Sequence, residues 1–300
     1  MESEIVAVFA TVPPGVVLDA TLGGGGHAGA ILDSRPDLRI LGLDRDPAAL
    51  AAAIAGLERH RDRLVTSRRR FDDLRIAMAD LHIDHLSGAL FDLGVSSPQL
   101  DVGERGFSYR NEGPLDMRMD PDAPWTAADV VNGYDERELV RIIRRYGDER
   151  FASRIAKAIV AARPIESTTA LAAVVTSAIP AAARRTGGHP AKRTFQAIRI
   201  EVNAELEVLP EAIDAAIEAT VPGGRIAVLS YHSGEDRIVK ERFRAATGAC
   251  ECPPDLPCVC GAVQTVRLVR GVPRTPAPDE RQANPRSASA RLRVAERIEP

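Results

Sequence analysis

The stretch Val16-Val17-Leu18-Asp19-Ala20-Thr21-Leu22-Gly23-Gly24-Gly25-Gly26-His27 decides how the rest of the chain is read. A β-branched, apolar run breaks into four consecutive glycines, after which Ala28, Ile31 and Leu32 begin a helical spacing. The pattern predicts a buried strand, a tight turn and a helix. Glycines carry no Cβ to hold a ligand away, so backbone N–H groups at the helix start can face one. Asp44 follows about twenty residues later, closing a second apolar run, Ile40-Leu41-Gly42-Leu43, where a carboxylate can accept hydrogen bonds from ribose hydroxyls. The whole reads as a nucleoside-cofactor site. Gly24-x-Gly26-x-x-Gly29 also fits the dinucleotide fingerprint, a weak signal by itself, and no Lys-Ser or Lys-Thr closes the loop as a phosphate-gripping loop requires.

Working outward, Pro47 starts a helix with Leu50, Ile54 and Leu57 on its buried face, Leu64-Val65 marks a third strand, and Ala89-Leu90-Phe91-Asp92-Leu93 a fourth. Strands alternating with helices at this interval predict an α/β parallel sheet covered on both faces, with ligands at the carboxyl ends of the strands. Gly23 to His27, Asp44, Phe71 and Asp92 then share one rim. The alternation stops after Leu93. A loop rich in Pro and Gly is followed from Thr126 by helical spacings, which read as a helical insertion. One long helix, faced by Ile198, Val202, Leu206, Leu209, Ile213 and Ile217, leads back to a strand at Arg225–Ser230, and two more strands sit near 265–269 and 290–294. The expected division is residues 1–100 and 196–300 for the sheet domain, with a Cys/Pro-rich segment at 248–289, and 101–195 for the loop and a helical substrate-recognition insert.

At 45% hydrophobic and 27% charged residues over 300, the chain has the composition of a soluble globular protein. No run of about twenty apolar residues predicts a membrane span, and the acidic start Met1-Glu2-Ser3-Glu4 is unlike a signal peptide, so a cytoplasmic location is expected. All four cysteines, Cys250, Cys252, Cys258 and Cys260, fall together; in a reducing compartment a Zn2+ knuckle competes with four plain thiols as their reading.

Asp92-Leu93-Gly94-Val95-Ser96-Ser97-Pro98-Gln99 leaves the fourth strand as a Ser-Pro turn. A hydroxyl and unpaired carbonyls there suit an exocyclic amine on a base, because hydrogen bonds to its N–H groups favour the pyramidal nitrogen that attacks an electrophile. Asp92, Ser97 and Pro98 are the candidate catalytic residues. Attack through the cytosine ring carbon would need a nucleophilic thiol, yet Gln99 follows Pro98 and every cysteine lies beyond residue 249. For RNA the signal is electrostatic: no acid occurs between Glu166 and Glu201, while Arg184, Arg185, Lys192, Arg193 and Arg199 surround Gly187-Gly188-His189-Pro190. A second group, Arg141, Arg144, Arg145, Arg150 and Arg154, is read instead as a solvated face paired with Glu136, Glu138, Asp148 and Glu149. His232, Glu235 and Asp236 read as a helix start with Ser233 as its cap.

Leu18 to His27, Asp44-Arg45-Asp46-Pro47, Asp92 to Asp101, Arg105-Gly106-Phe107-Ser108, Gly113-Pro114-Leu115-Asp116-Met117-Arg118-Met119-Asp120, His189 to Ala197 and Tyr231-His232-Ser233-Gly234-Glu235-Asp236-Arg237 together resemble the bacterial small-subunit ribosomal RNA methyltransferase H family, also called MraW. The resemblance implies a Rossmann-like class I S-adenosylmethionine-dependent methyltransferase with an inserted all-helical domain, methylating N4 of a cytidine in the decoding region of 16S rRNA, in the small ribosomal subunit. It implies cofactor contacts at Gly25, Gly26, His27, Asp44, Phe71, Asp92 and Gln99, and leaves Arg184, Arg185, His189, Lys192 and Arg193 as the RNA-facing candidates. A homodimer stays open. The family's usual His-x-Pro-Val-Leu-Leu opening does not precede Glu4, consistent with a truncated or mis-assigned start, and Tyr231 and Gly234 stand where the family has Phe and Leu. The rivals are a DNA amino-methyltransferase, an NAD-dependent oxidoreductase and a non-catalytic RNA-binding assembly factor.

Overall fold

The computed structural model describes residues 1–184, 188–250, 252, 259 and 261–299. Residues Met1–Gly94 and Leu206–Pro300 form one compact unit and Val95–Glu205 a second.

The first unit is built on strands β1 (Gly15–Asp19), β2 (Leu38–Asp44), β3 (Leu64–Arg68), β4 (Leu86–Asp92), β5 (Thr220–Ser230), β6 (Val266–Leu268) and β7 (Arg291–Arg297), in the order β3-β2-β1-β4-β5-β7-β6. β1 to β5 pair in parallel, whereas β7 runs antiparallel between β5 and β6. This is the Rossmann-like, mostly parallel sheet that the sequence predicts. Side chains alternate between two cores as a period of two requires: Leu18, Leu41, Leu43, Ala89, Phe91, Ile226 and Val228 face one, and Val17, Ile40, Leu90, Ala227 and Leu229 the other. The chain winds outward from β1 through β2 to β3, then crosses to β4 and β5, so the strand order reverses between β1 and β4, the switch point at whose carboxyl ends sheets of this kind bind ligands.

Its helices are α1 (Glu2–Phe9), α2 (Gly26–Ser34), α3 (Pro47–Gly56) and α4 (Leu74–Asp80); the second unit holds α5 (Ser97–Asp101), α6 (Ala127–Gly133), α7 (Glu136–Gly147), α8 (Ala152–Ala161), α9 (Thr168–Ala178), α10 (Ala181–Arg184) and α11 (Lys192–Asn203); α12 (Glu205–Ala219), α13 (Ser233–Ala246) and α14 (Pro278–Ala283) follow. The long helix expected across 198–217 is two helices. Ala204 is left-handed, with φ of 51°, and its N–H bonds back to Glu201 and Ile200 to end α11. An alanine that departs from helical geometry leaves no break in the apolar spacing, so the sequence pattern runs on through it.

In the second unit the Gly113-to-Asp120 motif folds on itself. The Asp116 carboxylate accepts from the backbone N–H of Arg118 at 2.9 Å and from its guanidinium at 3.0 and 2.8 Å. Asn203, at the end of α11, accepts from Met119 N–H at 2.9 Å and donates to the Met117 carbonyl at 2.7 Å. The motif is therefore tied to α11 through one buried amide.

Candidate active site

Gly23 and Gly25 hold the turn after β1 with φ of 52° and 79°, a region other L-residues pay to enter. Gly25 is also packed: a Cβ there would lie 2.8 Å from Leu57 Cδ1, and one on Gly29 would lie 2.9 Å from Leu57 Cδ2. The dinucleotide-like spacing is thus explained partly by α2 closing on the end of α3. Gly24 and Gly26 are different, exposed and with nothing within 4 Å of a built Cβ. Their side-chain positions point into open space.

Asp44 ends β2, and its two oxygens brace the turn: Oδ2 accepts from Gly23 N–H at 2.9 Å and Oδ1 from Asp46 N–H at 2.8 Å. Two of about four lone-pair sites are used, leaving acceptors for a ligand. Burial pushes its carboxyl above the ordinary range, against the pull of those two N–H groups. Phe71, half-buried ahead of α4, meets Phe91 edge-on at 5.9 Å between ring centroids.

Asp92 ends β4 beside the glycine turn. Its N–H donates to Thr21 Oγ1 at 2.7 Å, Tyr231 O–H donates to its Oδ1 at 2.8 Å, and His27 Nε2 lies 3.4 Å from its Oδ2. Behind them Asp19, 2% exposed, accepts from Thr21 N–H at 3.2 Å. Burial raises the Asp19 carboxyl to about 7, opposed by the nearby His27. Burial opposes charge on His27, but the hydrogen bond and charge of Asp92, with Asp19 beyond, outweigh it and lift the imidazole above its usual value. Burial and the Asp92 charge push the Tyr231 phenol well up, so it stays a donor. A chain of titratable groups therefore runs along the carboxyl ends of β1, β4 and β5, of which the sequence reading placed His27 and Asp92 but not Asp19 or Tyr231.

Residues 1–298 match the model of a family described as MraW methylase. The chain belongs to the MraW methylase family. It is 50% identical over 301 residues to the ribosomal RNA small subunit methyltransferase H of Heliobacterium mobile, covering 98% of this chain and 96% of that protein. It is 54% identical over 285 residues to the protein of that name from Mycobacterium sp. (strain KMS), covering 94% and 76%. The Saccharopolyspora erythraea protein of that name is 51% identical over 299 residues, covering 98% and 90%.

In this methylase the remaining expected residues fall as follows. Ser97 and Pro98 are exposed at the start of α5; Gln99 is buried and its Oε1 accepts from Ser96 N–H at 3.0 Å, forming a capping box with Ser96. His232, not Ser233, caps α13: its Nδ1 accepts from Gly234 and Glu235 N–H at 3.1 and 3.4 Å, while Glu235 accepts from the N–H of Tyr231 and His232. Asp236 turns instead to the Arg293 guanidinium of β7, at 2.8 and 2.9 Å.

Among the RNA candidates, Arg184 donates to the carbonyls of Ile179 and Ser177, His189 stacks on Tyr109 at 4.4 Å, and Lys192 and Arg193 are exposed at the start of α11. Arg199 leaves the group, because its guanidinium grips the buried Glu205 carboxylate at 2.9 and 3.0 Å. Arg185 lies outside the described residues, as do Cys258 and Cys260; Cys252 N–H lies 3.3 Å from Cys250 Sγ. Among the described residues no three His, Cys, Asp or Glu side chains gather as a metal site, and no helix is long and apolar enough to cross a membrane.

Proposed function

We propose that this methylase transfers a methyl group from S-adenosylmethionine to the exocyclic N4 amine of a cytidine in the decoding region of 16S rRNA, acting on small ribosomal subunits in the cytoplasm. The observation that supports it most is the meeting of the glycine turn with Asp92 at adjacent carboxyl ends of β1 and β4, in a chain about half identical to proteins named for small-subunit rRNA methylation.

The residues present fit the cofactor. Gly24 and Gly26 leave clear the volume that any Cβ would fill, and Asp44 keeps lone pairs after bracing the turn. Gly25, Gly26 and His27 would hold the methionine end, Asp44 the ribose hydroxyls, Phe71 the adenine, and Asp92 and Gln99 the transferring end. When bound, the cofactor supplies an electrophilic methyl on a cationic sulfur.

The work left to the chain is to position and to manage protons. A cytosine amine is weakly nucleophilic because its lone pair is delocalised, so acceptors for its N–H groups are what the site must offer; Asp92 Oδ2 is one, and Ser97 and the carbonyls of the Ser-Pro turn are assigned the same role. The proton leaves after the nitrogen has been alkylated, so no strong base is needed at the outset. The target base must be out of its stack to be reached.

The test is to incubate the protein with labelled S-adenosylmethionine and, in parallel, naked 16S rRNA, small subunits lacking the modification, and DNA. Label at cytidine N4 with small subunits is the expected result. Label on DNA, or on no acceptor, would defeat the reading.

A further inference from the structure

Two of the four acids expected to neutralise the arginines of α7 and α8, Glu138 and Glu149, are used elsewhere. Glu138 accepts from the backbone N–H of Asp135 at 3.0 Å to box the start of α7. Glu149 is buried and accepts from Phe151 N–H at 2.9 Å at the start of α8. Of the group, only Arg141 finds a carboxylate among the described residues, that of Glu201 on α11, at 2.9 Å. Arg144 reaches Ser153 Oγ at 3.4 Å, Arg145 lies over the Tyr146 ring at 5.4 Å, and Arg150 over the Phe151 ring at 4.6 Å. Arg154 and Lys157 are exposed on α8, and no ion pair is found for either among the described residues.

These cations are drawn to one corner. Arg144 bonding Ser153 ties the end of α7 to the start of α8, and Arg193 donates to the Asp148 carbonyl at 2.8 Å, which brings the start of α11 to the same place. Arg154 and Lys157, three apart on α8, are neighbours on one helix face, and Arg150 stands exposed just ahead of that helix's Phe151 cap. Asp148, exposed at the turn, carries a carboxylate that is not buried. Guanidiniums laid over aromatic rings are held in place yet keep their N–H donors outward, the arrangement that suits phosphate oxygens.

We infer that the α7–α8 corner, with Arg144, Arg150, Arg154 and Lys157 continued by Lys192 and Arg193, is a surface that binds the phosphate backbone of RNA. This rests on the RNA reading above but extends it to a face that the sequence assigned to solvent. Because phosphate contacts release counterions, the surface contributes affinity that falls with salt and carries little base preference.

The experiment uses the full-length triple variant Arg150→Gln/Arg154→Gln/Lys157→Gln, binding transcribed small-subunit rRNA across a salt series. A control, Arg61→Gln/Arg75→Gln, removes exposed guanidiniums paired with Glu58 and Glu218. The triple variant should bind at least about tenfold more weakly at low salt, with a log–log salt slope shallower by about 2, at about 0.7 per lost contact. Its unfolding temperature and its affinity for S-adenosylhomocysteine should match the wild type, and the control should keep the wild-type slope. Unchanged affinity and slope in the triple variant would overturn the assignment while leaving the RNA reading intact. A wild-type protein that binds S-adenosylhomocysteine but no rRNA would overturn both.

Discussion

Gly25→Ala and Gly26→Ala, adjacent substitutions of the same chemistry, should fail in different ways. At Gly25 a φ of 79° costs an alanine about 1–2 kcal/mol. The new methyl also meets Leu57 Cδ1 at 2.8 Å and Ala53 Cβ at 3.3 Å. Leu57 cannot swing aside freely, since its other methyl already fills the space over Gly29 and the side chain is 5% exposed. Overpacking of this kind costs about 1–3 kcal/mol, and the lower end applies because a side-chain tip can yield slightly. The sum is about 2–3 kcal/mol, a large fraction of the roughly 5–15 kcal/mol that holds a domain together. At Gly26, the first residue of α2, nothing lies within 4 Å, so an alanine there should leave stability unchanged or raise it by up to about 1 kcal/mol. Its methyl would instead occupy the volume assigned to the cofactor. Urea unfolding followed by circular dichroism, with calorimetric titration of S-adenosylhomocysteine, separates the two. Gly25→Ala should lower the unfolding midpoint, and Leu57→Ala in the same chain should recover about 1 kcal/mol relative to additivity; Gly26→Ala should fold normally and bind poorly. If Gly25→Ala costs under about 0.5 kcal/mol, or the pair is additive within that margin, the packing argument is wrong.

Further outcomes are expected. Tyr231→Phe removes the donor to Asp92 Oδ1, a bond to a charged acceptor whose carboxylate side chain is 29% exposed and can recruit water. The loss should therefore be about 1 kcal/mol, read as a several-fold weaker affinity for S-adenosylhomocysteine, and an unaltered affinity would separate Tyr231 from the site. Asp19, raised to about 7 by burial, stabilises the fold when protonated, below the ordinary carboxylate range, and that contribution is lost as pH rises toward 7. Asp19→Asn should thus gain on the wild type between about pH 5 and pH 8, measured as unfolding free energy at each, whereas a constant difference would show the carboxyl titrating normally. Asp116 and Asp236 have the opposite sign, both held low: burial opposes the Asp116 charge but Arg118 outweighs it, and Arg293 pairs with Asp236, so their contributions fade only in acid. Asn203→Ala withdraws the amide from Met117 and Met119, and should cost about 1–3 kcal/mol and speed proteolysis of the 113–120 segment; resistance equal to the wild type would show the motif is held by other means.

What could be read in advance was whatever one strand or one turn encodes locally. The apolar runs before Asp19, Asp44 and Asp92 were legible because strands buried on both faces leave an uninterrupted hydrophobic signal, and each acid marks the carboxyl end of its strand. The partnership of Tyr231 with Asp92 was not, since it spans 139 residues and is created by β5 lying beside β4. Ala204 hid a helix boundary because the residue has no preference for the conformation it adopts. His232 displaced Ser233 as a cap because an imidazole nitrogen can take the same N–H groups, a choice made by the packing of Glu235. The pairing expected among the charges of α7 and α8 failed for a related reason: spacing tells which charges are near, but not that backbone N–H groups at helix starts will claim the carboxylates first.

The place of β7 in the sheet has a consequence during synthesis. Residues 291–297 leave the ribosome after every other strand, yet they pair between β5 and β6. Until they emerge, the nascent chain presents the outer side of β5, with Ile226, Ala227, Val228 and Leu229 in sequence, as an unpaired hydrophobic margin open to other chains. A chain halted before Arg291 would therefore carry a fifth strand whose buried Ile226–Leu229 run has no neighbour on one flank, and aggregation or chaperone capture is the fate that follows.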